Sequence, residues 1–112
     1  MYNYVMLIGR LCTEPEVKVS SNGTSYSNLL LAVSRPFKNP ETNKYDTDFI
    51  PLSAFSPVCD LCEQNLHKGD MVGIKGRLER STSKIESKEI TQTNIIAERI
   101  MFLSHIKSKQ ED

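Results

Sequence analysis

Two phenylalanines of the sequence occupy strand positions that are unusual for large apolar rings. In the segment "TDFIPLSAFSP", residues 47–57, the two-residue period of a strand places Phe49 and Phe55 on one face. The opposite face carries three aliphatic residues, Ile50, Leu52 and Ala54. A third ring, Phe37, lies upstream in "RPFK", with a cation close by on each side. It opens the polar segment "PFKNPETNKYDT", which is predicted to be a loop. The aliphatic face predicts a core, so the rings need another explanation.

Exposed rings beside positive charges have the chemistry to bind an unpaired nucleic-acid strand. Bases of any identity stack on aromatic side chains with about 1 to 3 kcal/mol each, while cations neutralise the phosphates. Phenylalanine suits binding that ignores sequence, because it has no hydrogen-bonding group with which to select a base. The candidate phosphate-binding cations are Arg35, Lys38, Arg77, Arg80, Lys84 and Lys88. The alternative is that the rings form a contact between subunits or lie beneath a loop.

The charge balance alone does not favour a polyanionic partner. The sequence has 14 Lys plus Arg and 14 Asp plus Glu, whereas nucleic-acid binders are often basic overall. The cations are nevertheless clustered, with five of them between Lys75 and Lys88, and most acidic residues lie elsewhere. A local basic face is therefore compatible with a net charge of zero.

Length and composition predict one cytoplasmic domain. A chain of 112 residues is long enough for a single core, and it contains no apolar run of the length that a membrane span requires. The first residues lack the basic start and apolar stretch of a secretory signal. Three cysteines, an odd number, fit a reducing compartment.

Short alternating segments separated by turn residues predict a mainly β structure. Strands are expected at residues 4–11, 16–20, 27–35, 48–55, 70–80 and 91–103. The side chains predicted to point inward include Leu29, Leu31, Val33, Val72, Ile74 and Leu78. Asn22 and Gly23 predict a hairpin turn, residues 81–89 predict a polar hairpin, and Pro51 predicts an edge position or a bulge.

One segment, "SPVCDLCEQNLHKG", has the pattern of a helix. Ser56 fits the capping position, Pro57 the first helical position and Gly69 the end. An apolar stripe at helical spacing consists of Val58, Leu61, Cys62 and Leu66. A single helix among short strands disfavours parallel winding. The order predicts an all-β fold, a five-stranded Greek-key barrel of the OB-fold type, with one short helix between the third and fourth strands.

The residues needed for metal binding, redox chemistry, phosphate binding or nucleophilic catalysis are each only partly present. Cys59, Cys62 and His67 resemble the start of a zinc knuckle, but Val72 stands where the fourth ligand would lie. A redox Cys-x-x-Cys would need a βαβ context, and "GIKGRL" lacks the ending of a phosphate loop. His67 and His105 have no serine or carboxylate partner pattern for nucleophilic catalysis. We therefore expect no metal, no cofactor and no enzymatic activity.

Six collinear segments carry a family resemblance over about residues 3 to 103. They are "VMLIGRL", "EPEV", "SNGTSYSNLLLAVSRPFKN", "YDTDFIPLSAF", "LHKGDMVGIKGRLE" and "TNIIAERIMFL". Together they resemble the bacterial single-stranded DNA-binding protein family. The resemblance implies an OB-fold, usually a homotetramer, that binds and protects single-stranded DNA in replication, recombination and repair. It also implies base stacking by Phe37, Phe49 and Phe55, and further phosphate contacts by Lys18 and Lys68.

The sequence departs from that family on the arm that follows the "GRL" segment. The position that usually carries a fourth stacking ring corresponds to Ser83, and a second arm aromatic is absent near Thr91. A lost stack weakens binding by about 1 to 3 kcal/mol unless Lys84 or Ile85 compensates. The family's long linker and acidic tail do not follow "KQED" in this sequence, which is either trimmed or that of a short specialised relative. Recruitment of replication and repair proteins is therefore not expected from the resemblance alone.

These considerations predict an OB-fold domain at residues 1–104 and a flexible tail at residues 105–112. The expected protein is cytoplasmic, nucleoid-associated and bound to no membrane. Two alternatives remain. A dimeric, primosome-type OB-fold adaptor is favoured by the short chain, and a structural oligomerisation domain without DNA binding would use the rings as subunit contacts.

Overall fold

The computed structural model describes residues 1–104, in which polar and apolar side chains alternate along most strands. The elements in chain order are β1 (Val5–Leu11), β2 (Lys18–Val19), β3 (Ser25–Lys38), β4 (Tyr45–Phe55), α1 (Val58–Asn65), β5 (Met71–Ile85) and β6 (Lys88–Ser104). The sheet order is β1-β5-β6-β4-β3-β2, and an additional pairing between β1 and β3 closes the sheet into a barrel. The predicted tail, residues 105–112, lies outside the described residues.

The closed ring contains five strands, as the OB-fold prediction requires. β1, β5, β6, β4 and β3 follow one another around it, whereas β2 pairs only with β3. The helix lies between β4 and β5, so the prediction that it would lie between the third and fourth strands was wrong. Lys18–Val19 forms a short strand of its own, opposite Tyr26 and Ser25, and the strand before the helix is therefore the fourth.

The core lies inside the barrel, on the apolar faces that the alternation predicted. Its buried members are Leu11, Leu29, Leu31, Leu52, Ala54, Cys59, Cys62, Leu66, Val72, Ile74, Ile96 and Ala97. Val33 packs against this cluster and is half-buried. Leu78, predicted to point inward, is exposed instead. The β1–β5 pairing ends at Gly76, so β5 has already left the barrel where Leu78 lies.

The helix is shorter than predicted at its C-terminus. α1 ends at Asn65, because Leu66 adopts an extended conformation, with its N–H donating to the carbonyl of Cys62 at 2.9 Å. Gly69, the predicted end, lies in the following turn with a φ of +94°. The prediction that Leu61 belongs to the apolar stripe was also wrong, because Leu61 is exposed. The buried residues of α1 are Cys59 and Cys62.

The predicted N-terminal cap of the helix was likewise wrong. Pro57 occupies the capping position, with no side-chain cap hydrogen bond, and the first helical residue is Val58. The Ser56 hydroxyl donates to the carboxylate of Asp60 at 2.8 Å. Ser56 therefore contacts a side chain of the first turn instead of a backbone N–H.

The turns and edges agree with the sequence signals. Gly23 has a φ of +87°, and its N–H donates to the carbonyl of Ser20 at 2.9 Å, which closes the predicted hairpin turn. The 81–89 hairpin turns at Glu86 and Ser87, whose φ angles of 50° and 70° are those of a type I′ turn. Pro51 lies on β4 before its pairing with β6 begins, which confirms the predicted edge position.

Candidate nucleic-acid interface

The outer face of β4 carries two of the three rings singled out by the sequence. Phe49 is 63% exposed and Phe55 is 41% exposed, and both alternate with residues that point into the barrel. Six residues of strand separate their Cα atoms by about 20 Å. The predicted exposure of these rings is confirmed, while their part in binding stays a prediction.

The neighbouring strand β3 completes this ring-bearing face. In the antiparallel register Phe55 lies opposite Tyr26, and Phe49 lies opposite Ala32. Directly opposed residues share one side of a sheet, so Tyr26 adds a second aromatic ring beside Phe55. The small side chain of Ala32 leaves the Phe49 ring open on that side. The sequence analysis did not single out Tyr26, since only the strand register brings it next to Phe55.

Phe37 lies on a strand and not in the predicted loop. β3 continues through Lys38, which pairs with Tyr45, and the connection shrinks to residues 39–44. The register shifts between Ser34 and Lys38, so this end of the hairpin is irregular. Phe37 is as exposed as Phe49, at 63%, and the Lys38 ammonium lies 5.9 Å from the centre of the Tyr45 ring.

Cations on β2 and β1 lie in register with the two β4 rings. Lys18 is opposite Tyr26, which is opposite Phe55, so these residues form one row across three strands. Arg10 is opposite Ala32, which is opposite Phe49, and forms a second row. Two interstrand spacings, about 10 Å, separate each cation's Cα atom from that of its ring. The register brings Lys18 into the first row, while its phosphate contact stays a prediction, and it adds Arg10, which could not be singled out from the sequence.

Arg35 is occupied by acidic neighbours in the free protein. Its Nε and Nη2 atoms donate to the carboxylate of Asp48 at 3.1 and 3.0 Å, and Nη1 lies 4.0 Å from Asp46. The hydrogen bond from Arg35 lowers the pKa of Asp48 below its ordinary value of 3.8. A phosphate that binds Arg35 must therefore displace these carboxylates.

The cations at the base of the β5–β6 hairpin are also paired. Lys75 lies 2.6 Å from Glu98, while Arg77 lies 2.9 Å from Glu79 and 3.3 Å from Glu98. Hydrogen bonds to these carboxylates raise the pKa values of both cations. The positive charge of Arg77, predicted to bind phosphate, is thus balanced within the protein.

Two lysines without an ion-pair partner in residues 1–104 lie near the tip of this hairpin, together with two exposed glutamates, Glu86 and Glu89. The arm, defined as Leu78–Ile95, is bordered by no third strand in the described part of the chain. Arg80 donates to the Thr93 hydroxyl at 2.9 Å. Lys84 and Lys88 are exposed and form no ion pair or hydrogen bond within residues 1–104. Both lysines are available to an external anion.

A cleft of about 320 Å³ separates the arm from the ring-bearing face. It opens where β4 and β6 diverge, next to their two paired positions, Ser53 with Ile96 and Ala54 with Ala97. Its polar lining residues are Asn28, Ser53, Gln92, Thr93 and Asn94. This cleft could not be predicted from the sequence, because Asn28 and Gln92 are 64 positions apart in the chain.

The chain matches a known family over nearly its whole length. Residues 2–103 match the single-strand binding protein family. The chain belongs to this family. A single-stranded DNA-binding protein of Halalkalibacterium halodurans is 35% identical over 104 residues, which are 92% of this chain and 61% of that protein. Single-stranded DNA-binding protein 2 of Staphylococcus aureus strain COL is 33% identical over 92% of this chain and 74% of its own length. The chain spans less than two thirds of the Halalkalibacterium protein.

Solved structures of single-stranded DNA-binding proteins have the same fold. The chain is similar to a Plasmodium falciparum SSB in complex with ssDNA, with a TM-score of 0.76 and 28% identity, over 93% of this chain and 96% of that one. A small single-stranded DNA-binding protein from Streptomyces coelicolor matches 91% of this chain and 95% of its own with a TM-score of 0.65. At 24% identity, that second likeness concerns the fold alone.

In this member of the single-strand binding protein family, Lys68 lies in the turn after α1. Its backbone N–H donates to the Glu14 carboxylate at 2.5 Å, and this bond lowers the pKa of Glu14. Gly69, the next residue, accepts a hydrogen bond from Arg10 at 3.1 Å through its carbonyl. Lys68 therefore borders the end of the sheet from which Arg10 projects, and its own side chain is exposed.

The residues weighed for metal binding lie apart from this face. Cys59 and Cys62 are fully buried, and burial raises the pKa of both thiols, that of Cys62 to about 11. His67 is exposed and lies 3.4 Å from Glu14. Within residues 1–104, no three His, Cys, Asp or Glu side chains are grouped so that they could hold a metal ion. His105 lies outside the described residues.

No helix among the described residues combines the length and the apolar character needed to cross a membrane.

Proposed function

We propose that this chain binds single-stranded DNA without regard to sequence, and that it coats and protects the strand during replication, recombination and repair. The observation that carries this proposal is the pairing of each exposed β4 ring with a cation on the same face, Phe55 with Lys18 and Phe49 with Arg10. Membership of the single-strand binding protein family and the likeness to a protein in complex with ssDNA support it.

The proposed mechanism divides affinity between rings and cations. Bases stack on Phe49 and Phe55, with Phe37 at the far end of the hairpin, and each stack contributes about 1 to 3 kcal/mol. Phosphates are neutralised by Lys18, Lys38, Lys68, Lys84 and Lys88, and also by Arg10, Arg35, Arg77 and Arg80, which begin with partners in the protein. Each phosphate neutralised contributes about −0.7 to the slope of log affinity against log salt. No bond of the DNA is made or broken, so the protein acts without catalysis or cofactor.

Alanine variants of the β4 rings test this mechanism. Phe49→Ala and Phe55→Ala are each expected to weaken binding of a fluorescent dT oligomer by about fivefold to a hundredfold, the equivalent of one stack. Phe102→Ala is the matched control, because Phe102 is 46% exposed but lies on β6, away from the β3–β4 face. Circular dichroism verifies the fold of each variant. Tight oligomer binding by a folded Phe49→Ala, Phe55→Ala double variant would refute the stacking role.

We also propose that the chain self-associates, as a homotetramer in preference to a dimer. The outer face of β1 supports this, since Met6 and Ile8 are exposed on the same side of the sheet as Met101. Contiguous apolar surface of this kind is typical of protein contacts. Sedimentation equilibrium distinguishes four subunits from two, and a dimer would favour the primosome-type adaptor. A Met6→Glu, Ile8→Glu variant is expected to dissociate, whereas an unchanged mass would place the contact elsewhere.

The proposed location is the cytoplasm, at the nucleoid. The three cysteines support a reducing compartment, because Cys59 and Cys62 are buried thiols and Cys12 is half-buried and unpaired. Replication and repair proteins could in addition contact the folded chain directly, besides being brought to it by the DNA. Affinity capture with the folded chain as bait, compared with a bait saturated with dT oligomer, separates direct protein contacts from DNA-bridged ones.

A further inference from the structure

Provided that the chain binds single-stranded DNA as proposed above, we infer that the cleft between β4 and β6 receives an unpaired base and hydrogen-bonds its Watson–Crick edge. The two groups assigned to this contact are the side-chain amides of Asn28, on β3, and Gln92, on the arm, and both residues line the cleft. The ligand class is a nucleobase of a single strand, without restriction to one of the four.

The cleft lies on the path that the rings define. Pro51 and Ser53 line it, and both lie on the outer face of β4 between Phe49 and Phe55. Two residues of strand advance by about 7 Å, so the cleft begins one such step from the Phe55 position. A DNA strand that stacks a base on each ring must therefore pass the mouth of the cleft.

The size and polarity of the cleft fit a base better than a phosphate. Its volume of about 320 Å³ is at the lower end of the range for small-molecule sites, about 300 to 1,000 Å³. Its apolar lining residues are Leu29, Pro51, Leu52 and Ile95, and its polar lining residues are all uncharged. A flat ring with polar edges matches this lining, whereas a phosphate would find no cation in the cleft.

The existing hydrogen bonds within residues 1–104 leave the amide nitrogen of Asn28 and the amide oxygen of Gln92 free. The Ser53 hydroxyl donates to Oδ1 of Asn28 at 3.3 Å, which leaves both N–H bonds of the Asn28 amide without a partner in residues 1–104. The Gln92 amide nitrogen donates to Oδ1 of Asn94 at 3.1 Å, and Asn94 in turn donates to Ser81 at 2.8 Å. This chain of bonds fixes Gln92 and leaves its Oε1 atom as a free acceptor.

A donor and an acceptor that line one cleft can both be satisfied by the Watson–Crick edge of any base. Each edge presents an N–H next to an oxygen or nitrogen acceptor, and proteins that read unpaired bases commonly bind this edge. In a duplex the same edge is occupied by the partner strand. The cleft therefore discriminates unpaired from paired DNA and tolerates any sequence, which agrees with rings that do not select a base.

The test compares dT oligomers with oligomers of the same length in which every thymine is 3-methylthymine. The methyl group replaces the N3–H on the Watson–Crick edge and leaves a planar ring for stacking. The wild-type chain is expected to bind the methylated oligomer about tenfold more weakly, the effect of one or two hydrogen bonds. The Asn28→Ala, Gln92→Ala variant is expected to bind dT about tenfold more weakly and to bind both oligomers alike.

Controls separate this inference from the proposed function. Gln64→Ala removes an exposed amide on α1 and should behave as wild type, while Phe49→Ala should weaken binding of both oligomers equally. Gln92→Met alone keeps the side-chain length and serves if the double variant fails to fold. Equal binding of both oligomers by the wild type, or discrimination retained by the folded amide variants, would overturn the assignment of the cleft. Failure of the wild type to bind dT at all would overturn the proposed function as well.

Discussion

The Asp48→Asn variant removes the charge that occupies Arg35 in the free protein. Two hydrogen bonds, at 3.0 and 3.1 Å, hold the guanidinium against this carboxylate. Arg35 precedes Phe37 by two residues on β3, and Asp48 precedes Phe49 by one on β4, so the freed cation lies on the same hairpin as two proposed stacking rings. Asparagine has nearly the same shape but no charge, and we expect Arg35 to become available to a DNA phosphate.

The magnitude follows from counterion release. One additional phosphate contact makes the slope of log affinity against log salt steeper by about 0.7. A fourfold dilution of salt, from about 200 to 50 mM, should therefore increase the advantage of Asp48→Asn over the wild type by about 2.5-fold. Both side chains of the pair are about half exposed, so the salt slope is a cleaner measure than any pairwise energy.

The assay is fluorescence anisotropy of a labelled dT oligomer at four salt concentrations. Glu41→Gln is the matched control, since Glu41 is an exposed carboxylate on the same hairpin that holds no cation in the described structure. Arg35→Ala should have little effect in the wild type and should abolish the gain in Asp48→Asn. Equal salt slopes for Asp48→Asn and the wild type, or an equal loss from Arg35→Ala in both backgrounds, would refute the reasoning.

Three further predictions concern the arm, the core and acid stability. Ser83→Trp restores a ring on the arm of a chain that has no tryptophan, and it should tighten dT binding by about 1 to 3 kcal/mol with quenched fluorescence; unchanged affinity would contradict a stacking position there. Ser27→Ala should raise the free energy of unfolding by about 1 kcal/mol in urea titrations, because the buried hydroxyl has no hydrogen-bond partner in residues 1–104; a decrease would indicate a missed partner. The Lys68 backbone N–H lowers the pKa of Glu14 below its ordinary 4.5, so this carboxylate stabilises the fold above that pH and loses its effect as pH falls through the lowered value. When the pH is lowered from about 5 to about 3, the melting temperature should therefore fall further for the wild type than for Glu14→Gln. Parallel curves of melting temperature against pH would exclude this contribution.

Alternation along single strands was sufficient to predict the barrel and its core. Leu29, Leu31, Leu52 and Ala54 are buried as their periodicity required, and the same periodicity placed Phe49 on the outside. This works because each strand has one face in the core, and a single sequence records that asymmetry residue by residue.

Features that depend on two strands could not be predicted in the same way. Phe37 was expected in a loop because its neighbours are polar, but strand pairing through Lys38 is a matter of backbone hydrogen bonds and leaves no apolar pattern. The occupation of Arg35 by Asp48 depends on the hairpin register, as does the alignment of Arg10 with Phe49. Charge alone therefore overestimated how many cations are free.

The line along which β4 meets β6 is one of two short joins of the barrel wall, the other being the one between β1 and β3. Only Ser53–Ile96 and Ala54–Ala97 connect the two strands, whereas each strand is bound along most of its length to its hairpin partner. The β3–β4 and β5–β6 hairpins can therefore separate along this line while the pairing within each hairpin is kept. In a hydrogen–deuterium exchange experiment the amides at this join should lose protection before those of either hairpin. Opening at the join would widen the cleft, so that it could admit purines as well as pyrimidines.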